Sequence, residues 1–255
     1  MSSNPSTISW QVEKGVGTLT LNRPPLNILN IPMMAELETG LQTAAEDTSL
    51  RLLVLRATGK FFSAGVDIGD HTAERVGEMI PLFHRVCQAV ADFPTPTLAV
   101  VHGHALGGGC ELALCCDLIV AAEHAKIGQP EIKLATFAPI AALRLPAMVG
   151  RPLAAELLFT GENITAATAA QVGLINRAVP AAELETAVTT FSDNLRSQSA
   201  AALRLCKQAL NQGQDNWQHL ETVENLYLQD LMSTADVHEG LAAYQEKRKP
   251  NWQHY

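Results

Sequence analysis

Short, uninterrupted apolar runs that alternate with helix-period segments constrain this chain more than any other feature of it. Leu52-Leu-Val-Leu55, Thr97-Leu-Ala-Val-Val101 and Asp117-Leu-Ile-Val-Ala121 have the length and continuity of strands buried on both faces. Val16-Gly-Thr-Leu-Thr-Leu21 alternates as a half-buried strand does and ends at the turn Asn22-Arg-Pro-Pro25. Between these runs, Pro32 opens a helix with Met33, Leu37 and Leu41 on one face, and Met79, Phe83, Val86 and Val90 mark another that stops before Pro94. Phe61 to Ile68 is apolar but breaks at Gly65, and a further helix is expected from Cys110 to Cys116. Such alternation predicts an α/β fold with helices covering a parallel sheet. From about Pro180 the pattern becomes helical only. Its apolar faces are Leu184, Val188, Phe191 and Leu195, then Leu203, Cys206 and Leu210, then Leu220, Val223, Leu226 and Leu231. A tail with such faces must dock on the core or on a neighbouring chain.

Composition narrows the function classes. With 255 residues, 47% of them hydrophobic, the chain has enough apolar side chains for a sizeable core and is not disordered. Its 26 acidic against 18 basic residues give a formal charge of −8. Lys247, Arg248 and Lys249 form only a short basic patch, so nucleic acid is not an expected partner. Five cysteines without a CxxC pair predict buried, reduced thiols, no zinc site and a cytoplasmic protein. The polar stretch Met1 to Ser9 lacks the layout of a signal peptide, and no run of about 18 apolar residues offers a membrane span.

The densest chemical signal is Leu106-Gly-Gly-Gly-Cys-Glu111. Glycines between a strand and a helix let a ligand approach backbone closely and leave free N–H groups at the positive helix end. Tight strand–helix packing is the alternative use of the same residues. Ala105 and Leu112 stand where a GxGxxG pattern needs glycine, and Cys110-Glu111 replaces the Gly-Lys-Ser/Thr of a phosphate loop. An oxyanion formed during acyl chemistry therefore suits these amides better than a nucleotide phosphate.

Glu111 has apolar neighbours on a predicted helix, where lost hydration would raise its pKa into the range useful for proton transfer. A carboxylate that merely favours the helix dipole is the plainer reading. Glu131 follows the Gly128 break and is expected on a loop, as either a reactive acid or an exposed one. Gly65, breaking an apolar segment, would free backbone amides, Val66 N–H among them, to act as a second oxyanion donor; a simple bulge is the alternative. Asp67, Asp70 and His71 read as solvated loop residues. His102 and His104 read as structural, since no Gly-x-Ser-x-Gly elbow accompanies them.

Together, Phe62-Ser-Ala-Gly-Val-Asp-Ile68, His102-Gly-His-Ala-Leu-Gly-Gly-Gly-Cys-Glu-Leu112 and Gly128-Gln-Pro-Glu-Ile-Lys-Leu134 resemble the crotonase (enoyl-CoA hydratase/isomerase) superfamily. Asn22-Arg-Pro24, Phe159 to Ala166 and Gly173-Leu-Ile-Asn176 carry the likeness along nearly the whole chain. The resemblance implies a crotonase-like spiral of β-β-α repeats over residues 1–195 and a helical C-terminal oligomerisation region over 196–255, assembled as a homotrimer or homohexamer. It implies an acyl-CoA substrate and no separate cofactor or metal. Val66 and Gly108 would hold the thioester oxygen, and Glu111 and Glu131 would handle water and proton. Leu26, Ala64, Asp67, Ile68 and Gly107 would fall at the CoA and substrate pocket.

Having both glutamates favours a carbon–oxygen lyase that adds water across a C=C bond. Where straight-chain hydratases show a Gly-rich stretch after the second glutamate, this chain has Ala135 to Arg144, with Phe137 and Ile140 adding apolar bulk. That segment, Leu226 to Met232 and Glu239 to Arg248 are similar to cyclohexa-1,5-diene-1-carbonyl-CoA hydratases, which act in anaerobic aromatic degradation. The alternatives are a Δ3,Δ2-enoyl-CoA isomerase using Glu131 alone, and a non-catalytic acyl-CoA binder of the same fold.

Overall fold

The computed structural model describes residues 6–212 and 220–251. The chain enters through a hairpin of β1 (Ile8–Glu13) and β2 (Val16–Leu21). Lys14 and Gly15 join them with φ values of 51° and 79°, the left-handed pair that matches the twist of a two-residue hairpin. A sequence reading misses β1 because all of it but Ile8 is exposed and no inward face stands out. After α1 (Ile31–Ala45), the chain builds a second sheet alongside the first.

β3 (Leu52–Ala57), β5 (Thr97–Val101) and β7 (Leu118–Ala122) lie in parallel beside β2. Each is followed at once by a three-residue strand of the smaller sheet: β4 (Phe61–Ser63), β6 (His104–Leu106) and β8 (Lys126–Gly128). Helices α2 (Val76–Ala91) and α3 (Gly108–Leu114) then return the chain to the large sheet. Each turn thus lays one strand on each sheet before a helix, which is a β-β-α spiral. Further along come α4 (Pro139–Val149), α5 (Arg151–Thr160), β9 (Ile164–Thr165), α6 (Ala166–Gln171) and β10 (Arg177–Val179). The large sheet then runs β1-β2-β3-β5-β7-β10 and the small one β4-β6-β8-β9.

The apolar runs are continuous because both faces of the large sheet are covered. Leu53, Leu55, Ala99 and Val101 join the main core with Met33, Leu37, Phe83 and Val86. The alternate residues Leu52, Val54, Leu98, Val100 and Val120 meet Leu184, Val188, Phe191 and Leu195 of α7 (Leu184–Arg196). A one-residue slip of any strand would exchange these two sets, so the cover on both sides fixes the register. The apolar segment 61–68 breaks at Gly65 as its sequence implies, leaving a strand of three residues. Two boundaries differ from expectation. The third helix begins at Gly108 rather than Cys110, and β7 starts after Asp117, whose carboxylate accepts from Thr97 N and Oγ1.

The C-terminal region consists of α8 (Ala200–Gln212), α9 (Leu220–Asn225) and α10 (Ala235–Gln245), and it docks through buried polar contacts as well as apolar ones. Lys207 Nζ lies 2.8 Å from Asp117 Oδ2 and donates to Thr95 O at 3.2 Å. On α8 the expected apolar face is not the buried one: Lys207 is buried, while Cys206 is exposed and Leu210 is 57% exposed. Of the third predicted face, Leu220 and Leu231 pack against the core, and the side chains of Val223 and Leu226 lie outside the described residues. The other four cysteines are buried and free. Among the described residues no helix is long and apolar enough to cross a membrane.

Removing one partner of a buried ion pair strands the other, so Lys207→Ala is expected to cost about 3 kcal/mol of stability. Chemical denaturation of the variant, against Lys207→Arg as a charge-preserving control, measures it.

Candidate active site

Two glycine-broken turns meet at one edge of the small sheet. In the first, Ser63 Oγ donates to Asn27 O at 2.8 Å and accepts from Gly65 N at 3.2 Å, while Gly65 itself has a φ of 109°. Leu29 N–H donates to Gly65 O and Asp67 N–H donates to Leu29 O, both at 2.9 Å. Because successive N–H groups of extended chain alternate in direction, this pairing leaves Val66 N–H turned away from Leu29. It turns toward Gly108: a Cβ placed there would lie 3.3 Å from Val66 N and 2.6 Å from Val66 Cγ2. Gly108 is the first residue of α3, so its own N–H has no acceptor within the helix. The backbone thus brings two unclaimed donors together, with no room for a side chain between them.

Glu111 stands one turn into α3 and is only 3% exposed. Its Oε1 accepts from Ala141 N at 3.0 Å, and the Ile140 amide also faces the carboxylate. Both amides belong to the first turn of α4, whose leading residue, Pro139, brings no N–H of its own. Burial pushes Glu111 up to about 7, with the two amides pulling the other way. Glu131 sits in the short 3-10 helix Pro130–Leu134. Its carboxylate rests against Gly107, where any Cβ would collide with Oε1, and its Oε2 is buried without a hydrogen-bond partner. Burial first, and the Glu111 charge second, push Glu131 up to about 8.

Both glutamates line one cavity of about 440 Å³ together with Ala64, Val66, Ile68, Gly107, Gly108 and Phe137. Three other residues picked from the sequence do not form its walls. Leu26 O accepts from Ala64 N behind the turn, and Asp67 caps Gly69 N and pairs with Arg23 at 3.3 Å. The Ile140 side chain is fully buried, and that residue reaches the site through its amide rather than by bulk. Asp70 is not a solvated loop acid: at 2% exposed it accepts from Ile31 N and pairs with Arg75 at 2.6 Å. His71 lines the cavity, its Nδ1 held 3.1 Å from Asp67 O. His102 and His104 are structural, bonded to Gly59 O and Lys126 N.

Tyr227, Leu241, Tyr244 and Arg248 line the same cavity from the C-terminal region. They fall within the segments 226–232 and 239–248, whose likeness to the dienoyl-CoA hydratases the sequence shows, but no individual site role was legible for any of them. The available signal was an aromatic inside an otherwise aliphatic helical face at Tyr227, which marks burial but not what the ring is buried against. Among the described residues no three His, Cys, Asp or Glu side chains cluster as a metal site requires.

The sequence profile of the enoyl-CoA hydratase/isomerase family matches residues 11–255. The chain belongs to this family. Like its relatives in the crotonase fold, it is an enzyme. It is 36% identical over 254 residues to the cyclohexa-1,5-dienecarbonyl-CoA hydratase of Thauera aromatica, covering 98% of each chain. It is 38% identical over 242 residues to the 2,3-dehydroadipyl-CoA hydratase of Escherichia coli K12, covering 92% of this chain and 93% of the relative. The crystal structure of an enoyl-CoA hydratase from Mycobacterium avium subsp. paratuberculosis K-10 superposes with a TM-score of 0.85 at 29% identity, covering 97% of this chain and 98% of that one.

The glutamates carry a stability cost with a definite sign. An unfolded glutamate titrates near 4.5, whereas folded Glu131 keeps its proton up to about 8. Between those values the folded state binds more protons than the unfolded one, so stability falls as pH rises through that window. Glu131→Gln is therefore expected to melt above the wild type at pH 8, by a margin that shrinks toward pH 5. Melting curves at both pH values test this, and a constant margin contradicts it.

Proposed function

We propose that the enzyme adds water across the α,β double bond of an enoyl-CoA thioester. The observation that carries this reading is the pairing, in one cavity, of two buried glutamates of raised pKa with two unclaimed amides. A thioester oxygen seated between Val66 N–H and Gly108 N–H would have its developing enolate charge stabilised by donors already in place. Glu111, whose ionised form the amides of α4 favour against the burial that raises its pKa, takes a proton from water as the water oxygen bonds to Cβ. Glu131, whose unpartnered Oε2 favours the protonated form, delivers its proton to Cα. The water proton ends on Glu111 and the Glu131 proton on carbon, so the pair is restored by one proton exchange through solvent. These steps form the Cβ–O bond, break the C=C π bond and transfer protons, and their balance needs no external oxidant or reductant.

At the finer level, we place a cyclic dienoyl-CoA among the substrates. Support comes from the likeness to the Thauera hydratase and from the aromatic pair Phe137 and Tyr227 on the cavity wall, whose ring centroids lie 5.2 Å apart. A flat ring acyl group stacks well against such surfaces. The exposed Phe159, Leu205 and Leu210 provide apolar surface for the trimer or hexamer expected of this family, which sedimentation of the intact protein tests.

The catalytic roles have a direct assay. Loss of a positioned base or acid is expected to lower the hydration rate of crotonyl-CoA by about 10²–10⁴ in Glu111→Gln and in Glu131→Gln. In the wild type, kcat/KM should follow a bell in pH. It falls on the acid side as Glu111 gains a proton and on the alkaline side as Glu131 loses one. Undiminished hydration in Glu111→Gln, or a flat profile between pH 5 and 9, refutes the assignment.

A further inference from the structure

The cavity has an open side and a closed side, set by different parts of the C-terminal region. Tyr244, 57% exposed, and Arg248, at the surface, line the open side. Tyr227, 2% exposed and among the largest fully buried side chains, lines the closed one. A CoA carrier is far larger than the cavity and must remain toward the open side, which directs the acyl group at Tyr227.

Several contacts make that wall rigid. Tyr227 packs against Phe137 with an interplanar angle of 61°, edge against face. Its hydroxyl lies beside the Thr136 side chain. Thr136 in turn donates from both N and Oγ1 to Glu131 O, at 3.2 and 3.0 Å. The ring is therefore linked through Thr136 to the backbone that carries Glu131. Residues Leu226–Asp230 form a π-helical turn, an arrangement that re-aims a side chain at the cost of regular pairing and recurs at functional sites.

Resting on the hydration reading above, we propose that Tyr227 determines acyl specificity: its ring closes the blind end of the cavity, admitting short or flat acyl groups and excluding long flexible chains. The phenol also feels the charges of Glu131 and Glu111, and Tyr227→Phe, which removes the hydroxyl and keeps the ring, separates that influence from the choice of substrate.

The test compares crotonyl-CoA with 2-decenoyl-CoA in the wild type, Tyr227→Phe and Tyr227→Leu. The wild type is expected to prefer the four-carbon substrate in kcat/KM by about tenfold or more, a margin that contacts with a few methylenes supply. Tyr227→Phe keeps that ratio, and Tyr227→Leu narrows it by about tenfold. A purely structural role would lower both substrates together and leave the ratio unchanged, which overturns the proposal. Should Tyr227→Leu not fold, Tyr227→Met carries the same readout. Calorimetric binding of butanoyl-CoA and decanoyl-CoA to the same proteins separates the two claims. A shifted binding ratio with no hydration by the wild type sustains the role of Tyr227 and refutes the hydratase. An unshifted binding ratio overturns the role of Tyr227 whatever the turnover.

Discussion

Backbone touching backbone, with no side chain between, is the constraint on which the rest of this molecule depends. A Cβ at Gly65 would lie 3.2 Å from Leu106 O, and one at Gly109 would lie 2.5 Å from Ser63 O. Closing that gap lets β6 and the start of α3 sit directly on the turn after β4. The same closeness sets the Val66 and Gly108 amides beside one another. Fold and site are therefore a single packing solution: the glycines that allow the small sheet to assemble also create the donors. A chain that filled the gap would lose both at once, because the turn after β4 and the start of α3 would be forced apart.

The large sheet was readable because both its faces are covered. Burial on two sides demands apolar residues at every position, and Leu52 to Leu55 and Thr97 to Val101 report that demand directly. The small sheet was not readable, since strands of two or three residues complete too little of a period to show one. Asp70 was misplaced for a different reason. Its partners, Ile31 N and the Arg75 side chain, come from other segments, and sequence neighbours give no sign of them. Cys206 and Leu210 look like core residues along the helix, but α8 turns Lys207 inward instead, toward Asp117 and Thr95.

The site divides along the same line. Glu111, Glu131, Val66 and Gly108 were legible because glycine breaks and apolar surroundings mark them locally. Tyr227 and Tyr244 were not, because they reach the cavity only after the chain has passed through α7 and α8 and returned. Ile140 falls between the two cases. Its segment was noticed for bulk, yet what it supplies is an amide at the start of α4, a property of the helix end rather than of the side chain.

The two glutamates show why the site needs that helix end. Left to burial alone, both carboxyls would hold their protons at neutral pH, leaving an acid and no base. Two amides from α4 favour the ionised form of Glu111, while Glu131 Oε2 receives no such help and feels the neighbouring charge. The asymmetry leaves Glu131 the more readily protonated of the two. It costs stability as pH rises, since a buried anion is retained where an apolar pair would pack more favourably. Two buried carboxyls of raised pKa weaken the fold as pH rises toward 8, and the amides at the start of α4 are what make their protonation unequal.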